Sequence, residues 1–185
     1  MRRCKHSQCK ADLPSASQCT DYMQKKGFCN VECATQCGIE RAEKAKERKK
    51  KQDLRKAKDR AKTRPELARE AQTVFNAYIR ERDKDLPCIS CGRHHQGQYH
   101  AGHYRTVCAN PELRFEELNC HKQCAPCNNH KSGDIVNYRI NLVKRIGQEA
   151  VDWLEGPHEP KRYTADQLRE IKREYSRKVK ELKRL

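Results

Sequence analysis

Two Cys-x-x-Cys pairs, Cys88 with Cys91 and Cys124 with Cys127, constrain this chain more than any other feature. Four thiolates at that spacing make a closed tetrahedral zinc site, which clamps together two ends of a segment that could not otherwise hold itself folded. A second set, Cys4, Cys9, Cys29 and Cys33, is expected to hold another structural zinc in a small N-terminal module over residues 1–37. A module that short buries too little apolar area to fold alone, so the metal supplies most of its folding free energy. Asp12, Leu13, Pro14 and Ser15 read as a turn within it. Cys19 and Cys37 are spare thiols there, and Cys37 can replace Cys33, because residues four apart on a helix share a face.

Twelve cysteines in an exported chain would read as a disulfide framework. Here eight fall into paired sets, and the sequence opens Met1, Arg2, Arg3 with no apolar leader. Reduced metal ligands and a cytoplasmic location are therefore expected. With 35% hydrophobic and 36% charged residues over 185 positions, the apolar core must be modest and metal cross-links fit that need. The net charge of +16 calls for a polyanionic partner, with nucleic acid ahead of a membrane because no long apolar run is present.

The expected fold class is α+β and mostly helical. Residues 38–64 read as a basic linker helix whose Lys49, Lys50, Lys51, Arg55 and Lys56 either face water or track a phosphate backbone. Residues 65–155 form the main domain. Its first helix starts at a capping box made by Thr63 and Glu66 with Pro65 in the first turn, and carries a stripe of Leu67, Ala71, Val74, Phe75, Tyr78 and Ile79. Residues 134–155 are helical, with a break at Gly147. In residues 156–185, Thr164 and Gln167 cap a final helix whose Leu168, Ile171, Tyr175, Val179 and Leu182 either fold back on the domain or pair with a second copy.

Between the cysteine pairs, residues 98–106 alternate loosely and predict a strand bearing His103, with residues 113–120 as its return partner. Asn128, beginning a helix just after Cys127, is then expected to face His103 across a shallow cleft. His94 and His95 read as loop residues, and Cys108 and Cys120 as buried thiols.

The stretches RERDKDLPCISCG from Arg80, AGHYRT from Ala101 and LNCHKQCAPCNNHKSGDIV from Leu118, with the N-terminal cysteines, resemble the HNH endonuclease superfamily. More closely they resemble the lambdoid phage NinG (Rap) family of recombination endonucleases, and with the run from Arg145 to Val151 the likeness covers nearly the whole chain. That resemblance implies a zinc-stabilised ββα-metal core and cleavage of branched DNA, such as Holliday junctions and D-loops, in phage recombination. It also implies His103 as general base, Asn119 as the residue that orients the loop, and Asn128 as a ligand to a catalytic magnesium or manganese ion.

Lys131, one turn along from Asn128, can approach a phosphate oxygen, and Arg105 is a further DNA-binding candidate. The family pattern places a metal ligand just before the base, where this chain has Gly102; His100 is the first choice of substitute and His121 the second. Symmetric cutting of a four-way junction needs two active sites, so a homodimer is expected, with recombination proteins of phage or host as possible partners. The competing expectations are a non-catalytic double zinc-binding DNA adaptor or regulator, and an RNA-binding zinc protein.

Overall fold

Short polar side chains set the helix starts in the first of two units, residues 1–61 and 62–185, into which the chain divides. The structure, a computed structural model, describes residues 2–6, 8–13, 15 and 21–184; Pro14 and the spare thiol Cys19 lie outside them. Strands β1 (Arg2–Arg3) and β2 (Asp12–Leu13) pair antiparallel around the Cys4–Cys9 knuckle, so Asp12 and Leu13 are extended and not in a turn. Helix α1 (Tyr22–Lys26) is capped by Asp21, whose carboxylate accepts from the backbone N–H groups of Met23 (2.8 Å) and Gln24 (3.1 Å). It stops at Gly27, whose φ of 94° suits glycine.

Asn30 then starts α2 (Val31–Arg60) by accepting from Cys33 N–H at 2.8 Å. The basic helix therefore begins seven residues before Gly38 and carries Cys33 in its own first turn. No break separates the zinc knuckle from the basic stretch, because the residues between them are all tolerable helix formers except Gly38, which meets nothing within 4 Å.

In the second unit, α3 (Arg64–Arg82) starts at the expected capping box, where the Glu66 carboxylate accepts from both the backbone N–H and the hydroxyl of Thr63, each at 2.7 Å. A hairpin follows: β3 (Tyr99–His103) pairs antiparallel with β4 (Cys120–Cys124), with His100 opposite Gln123, Gly102 opposite His121 and His103 opposite Cys120. The return strand thus begins where the sequence placed its end. Residues 104–119 form a loop with a 3-10 turn at Pro111–Leu113. A π-helical turn, Pro126–His130, leads towards α4 (Ile135–Ile146) and α5 (Gln148–Glu155), which break at Gly147 (φ 86°) as expected. Helix α6 (Ala165–Leu182) starts at a reciprocal capping box between Thr164 and Gln167.

Side chains alternate across a strand, so His100, Gly102, His121 and Gln123 share one hairpin face and Ala101, His103, Cys120 and Lys122 the other. Against the second face pack α3 and α6, in a core of Leu67, Ala71, Phe75, Ile79, Phe115, Cys120, Leu168 and Tyr175. Towards the first face lie α4 and α5, in a core containing Ile89, Tyr138, Leu142, Val151 and Leu154. The hairpin is the middle layer of a helix-hairpin-helix sandwich. Leu168 and Tyr175 are buried within the chain and Ile171 packs beside them, so this part of the C-terminal stripe folds back on the domain.

Candidate metal centre and hairpin site

Each expected cysteine set converges. In both Cys4, Cys9, Cys29, Cys33 and Cys88, Cys91, Cys124, Cys127, all four sulfurs lie within 4.8 Å of one another. A tetrahedral zinc with Zn–S bonds of about 2.3 Å sets its sulfurs roughly 3.8 Å apart. The sulfurs of Cys29 and Cys33 are 3.2 Å apart, those of Cys9 and Cys29 3.5 Å, and those of Cys91 and Cys124 4.0 Å. Neighbouring sulfur and burial push the Cys33 thiol up, and burial and neighbouring sulfur push up Cys127. Such thiols ionise together only around a cation, so the donor sets fit zinc. Cys37 is buried one turn beyond Cys33 and takes no part in the set.

One contributor was missed. His95 Nε2 lies 3.2 Å from Cys91 Sγ, and its backbone N–H donates to the Tyr99 hydroxyl at 2.6 Å. The signal available was its spacing, four residues after Cys91. Cys108, expected to be buried, is exposed.

The hairpin runs through Cys124 and Cys127 directly into Asn128. There the Asn128 amide nitrogen donates to His100 Nδ1 at 3.0 Å and to the Asn129 side-chain oxygen at 3.0 Å. The first-choice substitute ligand is therefore beside Asn128. Turned over, the same amide presents its oxygen next to Nδ1, giving two neutral donors at one point. His130 and Lys131 follow on the exposed side. Lys131 borders an open groove of about 510 Å³ shared with Arg93, Asn137 and Asn141.

The structure does not bring His103 to Asn128. Strand alternation puts it on the opposite face, where its ring stacks on Phe75 (centroids 6.1 Å apart) and Nε2 donates to the Arg114 carbonyl at 3.0 Å. Its Nδ1 lies 3.7 Å from the buried Cys120 sulfur. Burial lowers the His103 pKa and so disfavours the charged ring. His121, the second-choice ligand, is also closed to an ion. It is buried, Nε2 donates to the Leu118 carbonyl (3.1 Å), and Nδ1 meets Arg82 (3.1 Å) and Asp83 (3.6 Å).

Asn119 is fully buried and spends its whole amide on the loop. Its oxygen accepts from Arg105 N–H (2.7 Å), and its nitrogen donates to the carbonyls of Arg105 (3.0 Å) and Leu113 (3.1 Å). These bonds tie it to the loop and leave its amide no open side for chemistry.

Gly102 is explained by close approach. A Cβ there would lie 2.1 Å from Gln123 Oε1 and 3.0 Å from its Cδ. Gln123 cannot swing away freely, because it is buried and its amide nitrogen donates to Ser90 Oγ at 2.6 Å and to the Gly133 carbonyl. An acidic ligand at this position has no room. Gly102→Ala is expected to destabilise the second unit by about 1–3 kcal/mol, the usual cost of overpacking. A denaturation midpoint equal to that of the unchanged protein would show that Gln123 yields.

Of the residues expected to contact nucleic acid, Lys49, Lys50, Lys51, Arg55 and Lys56 are all exposed on α2, with Lys51 paired to Glu47 at 2.7 Å. Arg105 is half-buried, and its Nε is buried without a hydrogen-bond partner.

Among curated proteins the chain is 45% identical to Protein ninG of Escherichia phage lambda, over 98% of this chain and 93% of that one. It is 44% identical to Protein ninG of Salmonella phage P22, over 98% and 94%. Protein ninG of Escherichia phage 933W is 48% identical over 84% of this chain and 85% of its own. No solved structure matches. The family described as Bacteriophage Lambda NinG protein matches residues 1–184, and the chain belongs to this NinG family.

Proposed function

We propose that the protein is a metal-dependent endonuclease of branched DNA, Holliday junctions and D-loops, acting in phage recombination. The observation that carries the reading is the His100–Asn128 contact of 3.0 Å at the point where a zinc-clamped hairpin turns into a helix. With the HNH-like motifs AGHYRT and LNCHKQCAPCNNHKSG along the hairpin and the turn after it, this contact supports reading the site as a ββα-metal one. His100 and Asn128 would hold the catalytic ion. An imidazole in that set favours manganese or another transition metal over magnesium, which prefers oxygen. An ion bound there would neutralise charge building on the phosphoryl oxygens and acidify the attacking water.

Lys131 can steady a nonbridging oxygen, and the expected products carry 5′ phosphates. His103 takes a positioning role in this reading: its imidazole joins the hairpin to the Arg114 carbonyl and to α3. The basic surface of α2 supplies phosphate contacts that read strand geometry rather than base edges.

Two observations favour a rival, the non-catalytic double-zinc DNA adaptor. His103 is turned from Asn128, and Gly102 cannot carry a ligand. Synthetic junction, D-loop, duplex, single-stranded DNA and RNA, each incubated with magnesium or manganese, separate the two. We expect cutting of the branched substrates, most with manganese. His100→Ala and Asn128→Ala should each lose about 100-fold or more, as removal of several kcal/mol of charge stabilisation requires, while still binding junctions. His103→Gln keeps an N–H for the Arg114 carbonyl. Retained cutting assigns His103 to positioning, whereas a loss of about 100-fold to 10,000-fold in a folded variant makes it the base. Binding without cutting under either metal establishes the adaptor.

A further inference from the structure

Three separate segments of the second unit bring cations around one shallow groove of about 290 Å³: Arg64 at the start of α3, Arg114 in the hairpin loop, and Lys161 with Arg162 just before α6. Its floor is Pro65, Pro111, Tyr163 and Leu168, and no carboxylate lines it. Several cations elsewhere in this unit are paired with acids: Lys62 and Lys172 with Glu70, Lys178 with Glu117, Arg139 with Glu155. Among the described residues, no ion pair reaches Arg64, Lys161 or Arg162. Glu112 accepts from the Asn110 amide (3.1 Å) and Glu116 from Leu118 N–H (3.2 Å), and neither lines the groove.

The groove is also held in shape. Arg114 Nε donates to Gln72 at 2.9 Å, which fixes the guanidinium plane and leaves its terminal nitrogens for another acceptor. The Tyr163 hydroxyl donates to the Glu112 carbonyl at 3.0 Å, and its ring meets Phe115 edge-on. Four cations converging on a groove with no carboxylate in its lining favour a polyanion between them. The groove is too small for a duplex, and its apolar floor suits sugar edges.

We propose that this groove holds the sugar-phosphate backbone of one DNA strand, with Arg64, Arg114, Lys161 and Arg162 on successive phosphates. The proposal rests on the DNA-binding part of the reading above and not on its chemistry. It also gives the protein a strand contact independent of α2. Because the Arg114 carbonyl is the acceptor for His103, a strand seated here lies one residue from that imidazole.

The test is binding of a fluorescent junction by the full zinc-loaded chain, measured by anisotropy across a salt series in buffer free of divalent ions and chelator. Arg64, Lys161 and Arg162 are exposed, so the triple alanine variant should keep its circular dichroism and melting temperature. We expect about a 10-fold to 100-fold loss of affinity near 0.1 M salt. The slope of log K against log salt should fall by roughly 2 to 3, close to one for each phosphate that is no longer neutralised. The Lys49, Lys50, Lys51 triple variant is measured beside it, and the two losses should add. An unchanged slope in the groove variant overturns the proposal even if the protein cuts DNA; a reduced slope upholds it even if the protein cuts nothing.

Discussion

Replacing Cys127 with serine is expected to lower the zinc content from two ions per chain to one and to unfold the hairpin layer of the second unit. The size of the effect follows from what the sulfurs hold. Cys88 and Cys91 lie on the loop after α3, and Cys124 and Cys127 end β4 and open the turn bearing Asn128. The cluster packs mainly on itself, with Tyr99 against it, so little apolar area replaces the metal. Structural zinc contributes an apparent ~10–16 kcal/mol in small zinc-binding peptides, against a total of about 5–15 kcal/mol for a whole domain. Losing one ligand from this set should therefore exceed what the two modest cores supply. Zinc analysis with circular dichroism checks it. A wild-type chain that is folded and metal-free, or a Cys127→Ser protein that melts like the wild type, would remove the zinc scaffold from the account.

Cysteine spacing made both metal groups legible in the sequence, because ligand type and separation follow from the chemistry of one ion. Helix starts were equally legible at Thr63 and Thr164, where the capping partners lie three residues apart and need no tertiary knowledge. His103 marks the boundary. A strand displays its residues on alternate faces, so an error of one position in what the hairpin faces reverses every assignment. The sequence places His103 in a strand but says nothing of Phe75, 28 positions earlier, whose ring claims it.

The return strand was misplaced for a related reason. His121, Lys122 and Gln123 are polar, yet all five residues of 120–124 are buried, because Asp83, Ser90 and the zinc cluster satisfy their polar groups from distant positions. Lys122 illustrates it, with its Nζ donating to the Lys84 carbonyl at 2.8 Å and lying 4.4 Å from the centre of the Tyr99 ring. The groove beside Tyr163 was invisible for the same cause, since its cations come from segments up to 98 residues apart.

Asp83 is the residue on which the seating of β4 against α3 depends most, and Asp83→Asn is expected to cost the second unit about 3–5 kcal/mol, as breaking a buried ion pair does. The carboxylate is 2% exposed. It accepts from Arg82 Nε (2.7 Å) and Nη2 (3.0 Å) and from the backbone N–H of Lys122 (2.9 Å). Arg82 in turn donates to the carbonyls of Glu117 (3.0 Å) and Cys120 (2.9 Å). Arg82→Ala or Asp83→Asn therefore leaves several buried polar groups unpaired at once.

Burial alone would push the Asp83 carboxyl up. The contact with His121, the Arg82 hydrogen bonds and charge, and the Lys122 N–H override it and hold the pKa well below the usual carboxylate range. A carboxyl lowered on folding contributes its stabilisation above the unfolded value of about 3.9 and loses it as pH falls through the folded value. The stability gap between wild type and Asp83→Asn should thus narrow below about pH 4, separately from the change near the ordinary histidine range that comes from His121, whose protonation the Asp83 carboxylate favours. Taking the difference at each pH removes acid release of zinc, which both proteins share. Denaturant titrations from pH 7 to about 3 measure it, and a gap under about 1 kcal/mol at pH 7, or one that does not narrow below about pH 4, would show that the carboxylate does not hold the hairpin in place.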